Sequence, residues 1–342
     1  MRVVVTGGAG YIGSHAADAL ARAGHEVVLV DNLSRGHQAA VDILAERHPG
    51  RVRFVACELS DRTSLRSAFA QGADAVMHFA AFANVGEGDA DPTLYYNNNV
   101  ASMLPLLEAI RDHRVPRVVY SSSCSVYGQP PDAMIPVPES APLAPLSAYG
   151  RTKLIGELML EDLARAQRLA GVPLALTSLR YFNVAGCEDV DQPRSLGEDH
   201  EPELHLIPLV LRVALGRTPS IRIFGDDYDT PDGTCVRDYV HVADVASAHV
   251  VALDRTAPGE TLACNLGTGR GFSVLQIIDA ARRVTGHPIP AVVAPRRSGD
   301  PARLFASAEW ASRRLGWRPV FTQIDQIIET AWRWFRRHPT GY

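Results

Sequence analysis

Short apolar runs alternate with longer helical patterns over the first half of the chain. Six of the short runs are rich in β-branched residues and apolar throughout, which predicts strands buried on both faces; they lie at 3–6, 26–30, 52–56, 75–79, 117–121 and 174–179. Between them, helices are predicted at 12–23, 61–71, 94–113 and 150–170. Strands that alternate with helices in this way form a parallel sheet covered on both faces. We therefore expect a doubly wound, Rossmann-type α/β domain over residues 1–180.

After residue 180 the pattern changes to loops rich in Pro, Asp and Gly, as at 188–203 and 225–234. Further helices are predicted near 206–216 and 274–285. This composition predicts a smaller α/β domain over residues 181–342, which lies over the cleft of the first domain and binds the substrate. One part of it, near residues 237–260, is expected to return to the large domain.

The overall composition excludes several classes of protein. The chain has 342 residues, of which 46% are hydrophobic and 21% charged, and a net charge of −4, so neither a nucleic acid nor a membrane surface is expected as a partner. The first residues show no signal-peptide pattern, and no stretch approaches the roughly 20 apolar residues that span a bilayer. The cysteines are far apart and form no CxxC pair, which favours reduced thiols in the cytoplasm over disulfides or a zinc site; they are Cys57, Cys124, Cys187, Cys235 and Cys264. No metal is expected.

A glycine-rich turn joins the first predicted strand to the first helix. Gly7, Gly10 and Gly13 allow the backbone to come close to a pyrophosphate, which would lie on the free N–H groups of the helix start. Asp31 ends the second strand, about 20 residues further on, where a carboxylate bonds the ribose hydroxyls of a dinucleotide and repels a 2′-phosphate. The sequence therefore predicts NAD, rather than NADP, as the cofactor.

Other residues follow the carboxyl ends of the predicted strands. Ligands of open parallel sheets bind beyond these ends. The residues at these positions are Glu58, Leu59, Phe79, Ala80, Ala81, Ser121, Ser122 and Ser123. We expect this edge of the sheet to face the cofactor.

Tyr149 and Lys153 lie four residues apart in a predicted helix, and therefore on one helix face. A free tyrosine has a pKa of about 10 and is a poor base at neutral pH. A nearby ammonium group, together with the charge of an oxidised nicotinamide, would lower that pKa. After a dinucleotide turn and a strand that ends in three serines, the pair predicts the base of a hydride-transfer site.

These features together resemble the short-chain dehydrogenase/reductase superfamily, in its extended, NAD-dependent epimerase branch that acts on nucleotide-sugars. The resemblance runs over nearly the whole chain, and its most specific strings are "TGGAGYIGSH", "SSSCSVYG", "SAYGRTK", "DGTCVRDYVHV" and "APRRSGD". It implies a 4-epimerase that interconverts UDP-glucose and UDP-galactose through a transient 4-keto sugar. Tyr149 would act as the base, with Ser123 on the same sugar oxygen and Lys153 on the nicotinamide ribose.

The resemblance also implies binding residues and an assembly. Cofactor contacts are implied for Gly7, Gly10, Tyr11, Ile12, Gly13, Asp31, Asn32, Glu58, Leu59, Phe79, Ala80, Ala81, Asn98, Ser121, Tyr149, Lys153 and Tyr181. Substrate contacts are implied for Ser123, Tyr149, Asn183, His205, Leu206, Phe224, Arg237, Tyr239, Arg297 and Asp300. A homodimer formed by helices of the large domain is implied as well.

A few positions depart from the family pattern. Glu58 replaces the usual aspartate near the adenine, and Ala83 stands where some members place a lysine on the cofactor. His205 replaces the asparagine of some members. Leu304 occupies the position that resembles the specificity gate, where a bulky aromatic excludes 2-acetamido sugars and a small residue admits them. Leucine is intermediate, so the sequence leaves this specificity open.

Alternative functions were compared with the 4-epimerase. Epimerases of UDP-N-acetylglucosamine, UDP-glucuronate or a UDP-pentose remain open. A nucleotide-sugar 4,6-dehydratase would need an acidic pair directly after the catalytic hydroxyl residue, where this chain has Cys124 and Ser125. A non-catalytic dinucleotide sensor would have no need for the Tyr149, Lys153 and Ser123 triad.

Overall fold

A seven-stranded parallel sheet forms the centre of the computed structural model, which describes residues 1–188, 191–192, 194–297 and 300–342. The strands of the main sheet and of three smaller sheets in the described residues are β1 (Arg2–Thr6), β2 (Glu26–Asp31), β3 (Val52–Ala56), β4 (Ala75–His78), β5 (Arg117–Ser123), β6 (Ala175–Tyr181), β7 (Asn183–Ala185), β8 (Ile221–Phe224), β9 (Val236–Arg237), β10 (Tyr239–His241), β11 (Thr261–Leu266), β12 (Phe272–Ser273), β13 (Ala291–Ala294) and β14 (Arg303–Leu304). The sheet has the order β11-β6-β5-β4-β1-β2-β3. This order confirms the doubly wound α/β fold.

The helices cover both faces of this sheet. The α-helices of the described residues, of which α8, α10 and α12 pack elsewhere, are α1 (Tyr11–Arg22), α2 (Gln38–Arg47), α3 (Arg62–Phe69), α4 (Val85–Ala90), α5 (Pro92–Tyr96), α6 (Met103–Asp112), α7 (Ala148–Leu169), α8 (Leu206–Ala214), α9 (Val242–Arg255), α10 (Val274–Thr285), α11 (Glu309–Leu315) and α12 (Ile324–Arg337). Because side chains alternate along a strand, Val3 and Val5 pack with α1, α2 and α9, while Val4 packs with α3, α6 and α7. Both faces are therefore apolar, as the continuous apolar runs predicted.

Most of the predicted elements are confirmed. The six predicted strands agree with β1 to β6 to within two residues at each end. The helix predicted at 94–113 is the exception, because α5 and α6 are separated by a π-helical turn at Asn97–Ala101. In this turn the amide of Asn99 donates to the carbonyl oxygen of Phe82 at 2.9 Å and accepts from the N–H of Phe82 at 2.8 Å. A contact with a distant loop thus interrupts the helix.

The segment after residue 236 contributes to two regions. Strands β9 and β10 pair with β12, β14 and β7 outside the main sheet. Helix α9 then packs in the cluster of α1, and β11 joins the main sheet beside β6.

A second hydrophobic cluster lies among α8, α10 and α12 and the small β8–β13 sheet. Its largest fully buried side chain is that of Trp334. Across the described residues, no helix combines the length and apolarity needed to cross a membrane.

Candidate active site

The glycine-rich turn between β1 and α1 packs too closely on the protein's own backbone to carry side chains at two of its positions. Gly7 has φ +71°, and a Cβ there would come within 2.5 Å of the amide nitrogen of Ala80. A Cβ on Gly13 would overlap the carbonyl oxygen of Gly7. Gly10 precedes the first turn of α1, whose N–H groups favour an anion. This cradle fits the pyrophosphate of a dinucleotide.

Asp31 connects the end of β2 to the same turn. Its carboxylate accepts from the N–H of Ala9 at 3.0 Å and from the N–H of Leu33 at 2.8 Å. Burial raises the pKa of Asp31, although these two hydrogen bonds oppose the rise. One strand further along the sheet, Glu58 accepts a 2.6 Å hydrogen bond from the amide of Asn32. The two carboxylates therefore follow adjacent strand ends.

Some of the other residues predicted to contact the cofactor have side chains that pack in the hydrophobic core. Leu59 packs in the core with Leu65 and Phe69, and Ile12 packs against the cluster on the opposite face, so their side chains support the fold. The hydroxyl of Tyr11 donates to the carbonyl oxygen of Gly186 at 2.6 Å. The remaining members lie along the same edge; they are Phe79, Ala80, Ala81, Asn98, Ser121 and Tyr181.

Helix α7 places Tyr149 and Lys153 together at its first turns. Ser147 caps this helix by accepting from the N–H of Gly150 at 3.0 Å. Both side chains are buried, with Tyr149 8% and Lys153 3% exposed. The Lys153 ammonium donates to the carbonyl oxygen of Ser121 at 2.7 Å and lies 5.9 Å from the centre of the Tyr149 ring. The pair thus faces the end of β5.

The protonation of this pair is set mainly by burial. Burial raises the pKa of Tyr149 to about 12, although a hydrogen bond with Ser123 lowers it. Burial also lowers the pKa of Lys153 to about 7, and the charge of Glu157 opposes that shift. The lowering of the Tyr149 pKa that we expected from the neighbouring ammonium group is not found in the protein alone, where burial raises this pKa.

A buried ion pair behind Lys153 was not identified from the sequence. Glu157 lies one turn further along α7 and forms two hydrogen bonds with the guanidinium of Arg180, at 2.9 and 2.6 Å. Ser122 also donates to Glu157, and Arg180 donates to the hydroxyl of Tyr127 at 3.0 Å. The spacing of four residues from Lys153 was a signal that could have identified Glu157.

The predicted substrate residues near β9 come together around Arg237. Its guanidinium donates to the carbonyl oxygen of Pro301 at 2.8 Å and lies 3.4 Å from the carboxylate of Asp300. Leu304 pairs with Arg237 between β14 and β9. Leu304 belongs to a hydrophobic cluster against which Cys124 packs, and Cys124 directly follows Ser123. The proposed gate is therefore close to the end of β5.

The remaining substrate candidates surround this group. The guanidinium of Arg297 lies 4.0 Å from the centre of the Phe224 ring. Burial raises the pKa of the Cys235 thiol; the charges of Arg237 and Arg297 oppose this rise, and that of Asp300 adds to it. Asn183 donates to the carbonyl oxygen of Asp238 at 3.1 Å, and β7 places it opposite Tyr239.

His205 and Leu206 begin helix α8. The imidazole Nδ1 of His205 lies 2.9 Å from Glu203 and 3.0 Å from Glu198. Burial alone would lower the pKa of His205, but these two carboxylates raise it to about 10.

Asp238 is a second residue that the sequence did not single out. Its fully buried carboxylate accepts from the N–H groups of Thr268, Gly269 and Ala306, at 2.9 to 3.2 Å. These bonds fix the backbone between Arg237 and Tyr239. The alternating polar string around it was a signal, but its partners lie 30 or more residues away along the chain.

Comparison with known proteins agrees with this geometry. The model of the NAD dependent epimerase/dehydratase family matches residues 3–267. A UDP-glucose 4-epimerase of Streptococcus mutans is 47% identical, over 100% of this chain and 99% of that protein. The structure of UDP-glucose 4-epimerase from Bifidobacterium longum in complex with NAD⁺ and UDP superposes with a TM-score of 0.93 at 37% identity, over 100% of both chains.

A further similar structure is the UDP-glucose-4-epimerase from Stenotrophomonas maltophila with bound NAD and formylated UDP-arabinopyranose. It has a TM-score of 0.91 and 41% identity, over 98% of both chains. Together, the matched family model and the full-length similarity establish that the chain belongs to the NAD dependent epimerase/dehydratase family.

Proposed function

We propose that this chain interconverts UDP-glucose and UDP-galactose by NAD-dependent inversion of C4 through a transient 4-keto sugar. The observation that carries the proposal is the placement of Tyr149, Lys153 and the end of β5 beside one another, on the same sheet edge as the glycine cradle. The full-length similarity to UDP-glucose 4-epimerases supports the same activity.

The chain's own residues would hold NAD in an extended position. The cradle of Gly7, Gly10 and Gly13 receives the pyrophosphate, and the carboxylate of Asp31 bonds the adenosine ribose. When bound, NAD⁺ supplies the hydride acceptor and donor of the reaction. Lys153 holds the nicotinamide ribose, and its Nζ lies 5.9 Å from the centre of the Tyr149 ring.

Tyr149 moves the proton at the sugar 4-hydroxyl. It removes this proton as C4 is oxidised and returns it after the keto sugar has turned over and presented its opposite face. Ser123 hydrogen-bonds the same sugar oxygen and passes the proton. Because the pKa of Tyr149 is raised to about 12 by burial, the positive charges around the bound substrate complex must favour the phenolate. The net redox change over one turnover is zero.

The nucleotide part of the substrate is assigned to the residues around Arg237. Forked guanidinium groups on Arg237 and Arg297 match the oxygen atoms of a diphosphate. The first turn of α8 begins at Leu206, directly after His205, and its N–H groups favour an anion; the N–H of His205 itself donates to Glu203 at 2.8 Å. Phe224, on which the guanidinium of Arg297 is stacked, is assigned to the uracil end of the nucleotide. The other contacts are assigned to Asn183, Tyr239 and Asp300.

The division of labour follows the predicted domains, with NAD bound by residues 1–180 and the UDP-sugar by residues 181–342. Within the expected return segment 237–260, helix α9 is proposed to belong structurally to the large domain because it packs on α1, whereas β9 and β10 pair outside the main sheet. We further propose a homodimer that works in the cytoplasm; the five free cysteines are compatible with a reducing compartment.

The main alternative substrates are other UDP-sugars. Leu304 is buried in the same hydrophobic cluster as Phe182, and its size is proposed to set the space beside the sugar. A 4,6-dehydratase is disfavoured, because burial raises the pKa of Cys124 to about 12 and the thiol cannot serve as an acid or base at neutral pH.

A panel of UDP-sugars assayed for inversion at C4 tests the proposal. Purified protein should convert UDP-galactose into UDP-glucose without consuming NAD⁺, and the 2-acetamido, glucuronate and pentose analogues should react more slowly. If neither the glucose pair nor the 2-acetamido pair is interconverted, the assignment is wrong.

A further inference from the structure

Four side chains near the start of α8 converge outside the group that would perform the chemistry. They are Glu198, His200, Glu203 and His205, and one ligand atom of each lies within 4.8 Å of the others. Three belong to a loop and the fourth begins α8. The expectation that the chain binds no metal rested on its scattered cysteines and did not consider this run of histidines and glutamates.

The distances place all four donors around one point. His205 Nδ1 lies 2.9 Å from Glu203 Oε1 and 3.0 Å from Glu198 Oε1. His200 Nδ1 lies 3.5 Å from Glu198 Oε1 and 3.6 Å from Glu203 Oε2. Donor atoms that share a cation at about 2.0 to 2.2 Å are about 3 to 3.5 Å apart, so these separations suit ligands of one ion.

Two of these donor atoms have ion-pair contacts within the cluster but no well-formed hydrogen bond. Glu198 is 3% exposed and Glu203 is 5% exposed. Within the described part of the chain, Glu198 Oε1 and His200 Nδ1 are buried atoms without a hydrogen bond of acceptable geometry. A buried carboxylate oxygen without a hydrogen bond is costly, and each such atom requires an explanation. Both atoms point towards the same cluster.

We propose that Glu198, His200, Glu203 and His205 bind one divalent transition-metal cation of the Zn²⁺ class. Imidazole nitrogen and carboxylate oxygen are ligands that Zn²⁺ accepts, and two carboxylates balance its charge. The side chains of His200 and His205 are 33% and 48% exposed, so the cation can enter from the histidine side and keep a water molecule. The buried glutamates form the closed side of the site.

The position of the site gives the cation a structural role. The ring of His200 lies edge-on to that of Tyr11, at 6.1 Å between the ring centres, and Tyr11 is the first residue of α1 after the glycine cradle. His205 begins α8 on the other side of the cluster. A bound cation therefore fixes the 198–205 segment between the NAD cradle and the residues assigned to the substrate.

The test uses untagged, full-length protein that has been treated with a chelator and dialysed. Zn²⁺ is added alone, and the bound metal is counted by mass spectrometry of the elements after a second dialysis. Co²⁺ is added to a separate sample, because its visible absorption reports ligand geometry. The cluster variants are His200→Gln and Glu203→Gln. The matched control is His287→Gln, which removes an exposed histidine far along the chain from the cluster.

The wild-type protein and His287→Gln should each retain about one Zn²⁺ per chain and show a Co²⁺ spectrum. Each cluster variant should bind Zn²⁺ at least about tenfold more weakly, and zinc should raise the melting temperature of only the wild type and the control. The melting temperature without metal identifies a variant that has failed to fold, in which case the other cluster variant decides.

The proposal is overturned if the wild-type protein retains no Zn²⁺, because the four side chains would then form a metal-free network of ion pairs. It is also overturned if both folded cluster variants bind Zn²⁺ as tightly as the control. Because the readouts are metal content and spectrum, the result is independent of whether the chain acts on UDP-sugars.

Discussion

Replacing Glu157 with glutamine should destabilise the protein far more than a typical polar substitution. The side chains of Glu157 and Arg180 are 1% and 5% exposed, and two hydrogen bonds of 2.9 and 2.6 Å join them. Glu157→Gln leaves the guanidinium of Arg180 buried without its counter-charge. Removal of one partner of a buried ion pair costs about 3 to 5 kcal/mol, so the free energy of unfolding should fall by about that amount.

The double variant Glu157→Leu with Arg180→Met separates the cost of an unpaired charge from the value of the pair. Replacing both members of a buried pair by apolar residues is often close to neutral. Tyr127 keeps a partner in this variant, because its hydroxyl donates to Asn265 at 2.7 Å. The double variant should therefore be more stable than Glu157→Leu alone or Arg180→Met alone, with a coupling energy of at least about 2 kcal/mol between the two substitutions.

Urea denaturation followed by circular dichroism at neutral pH measures these free energies. Arg313→Met is the matched control, because Arg313 forms an ion pair with Glu309 at the surface and should change the free energy of unfolding by less than about 1 kcal/mol. If Glu157→Gln falls within the range of this control, or if the losses of the two single variants simply add, the reasoning about the buried pair is refuted.

Three further predictions concern the substrate site and the core. Arg237→Ala should raise the KM for UDP-glucose about ten- to a hundredfold. Arg296 lies at the surface, so Arg296→Ala should leave the KM unchanged. An unchanged KM in both variants would contradict the assignment of Arg237. Leu304→Ser should raise the ratio of kcat/KM for the 2-acetamido sugar over UDP-glucose by about tenfold, and Leu304→Tyr should lower it, as steady-state kinetics can show. Burial lowers the pKa of His249 to about 4, so the unfolded chain binds more protons below about pH 6.5. Stability is therefore lost as the pH falls from 6.5 to 4. His249→Leu should reduce the slope of the free energy of unfolding against pH, measured by chemical denaturation, by roughly 1.4 kcal/mol per pH unit over this range. Equal slopes in the variant and the wild type would refute this.

The strands and the cofactor cradle could be predicted because their signals are local. A strand buried on both faces is apolar at its central positions, as in β1 and β2. The tightly packed turn after β1 needs glycine at Gly7 and Gly13. Tyr149 and Lys153 were also predicted as neighbours, since the helix period alone brings them to one face.

The features that were missed depend on contacts between distant parts of the chain. Asn99 interrupts the helix predicted at 94–113 because it bonds to Phe82, which no helical pattern indicates. Arg180 reaches Glu157 only because β6 and α7 pack together. The raised pKa of Tyr149 likewise comes from burial, which depends on the whole fold.

The central claim is that Tyr149 moves the proton in an inversion of C4 that consumes no cofactor. The most direct test incubates the purified protein with UDP-galactose and follows UDP-glucose by proton NMR while absorbance reports NADH. The wild-type protein should bring the two sugars to equilibrium without accumulation of NADH, and Tyr149→Phe should be slower by about 10²- to 10⁴-fold. Full activity in Tyr149→Phe, or no UDP-glucose from the wild-type protein, would contradict the account.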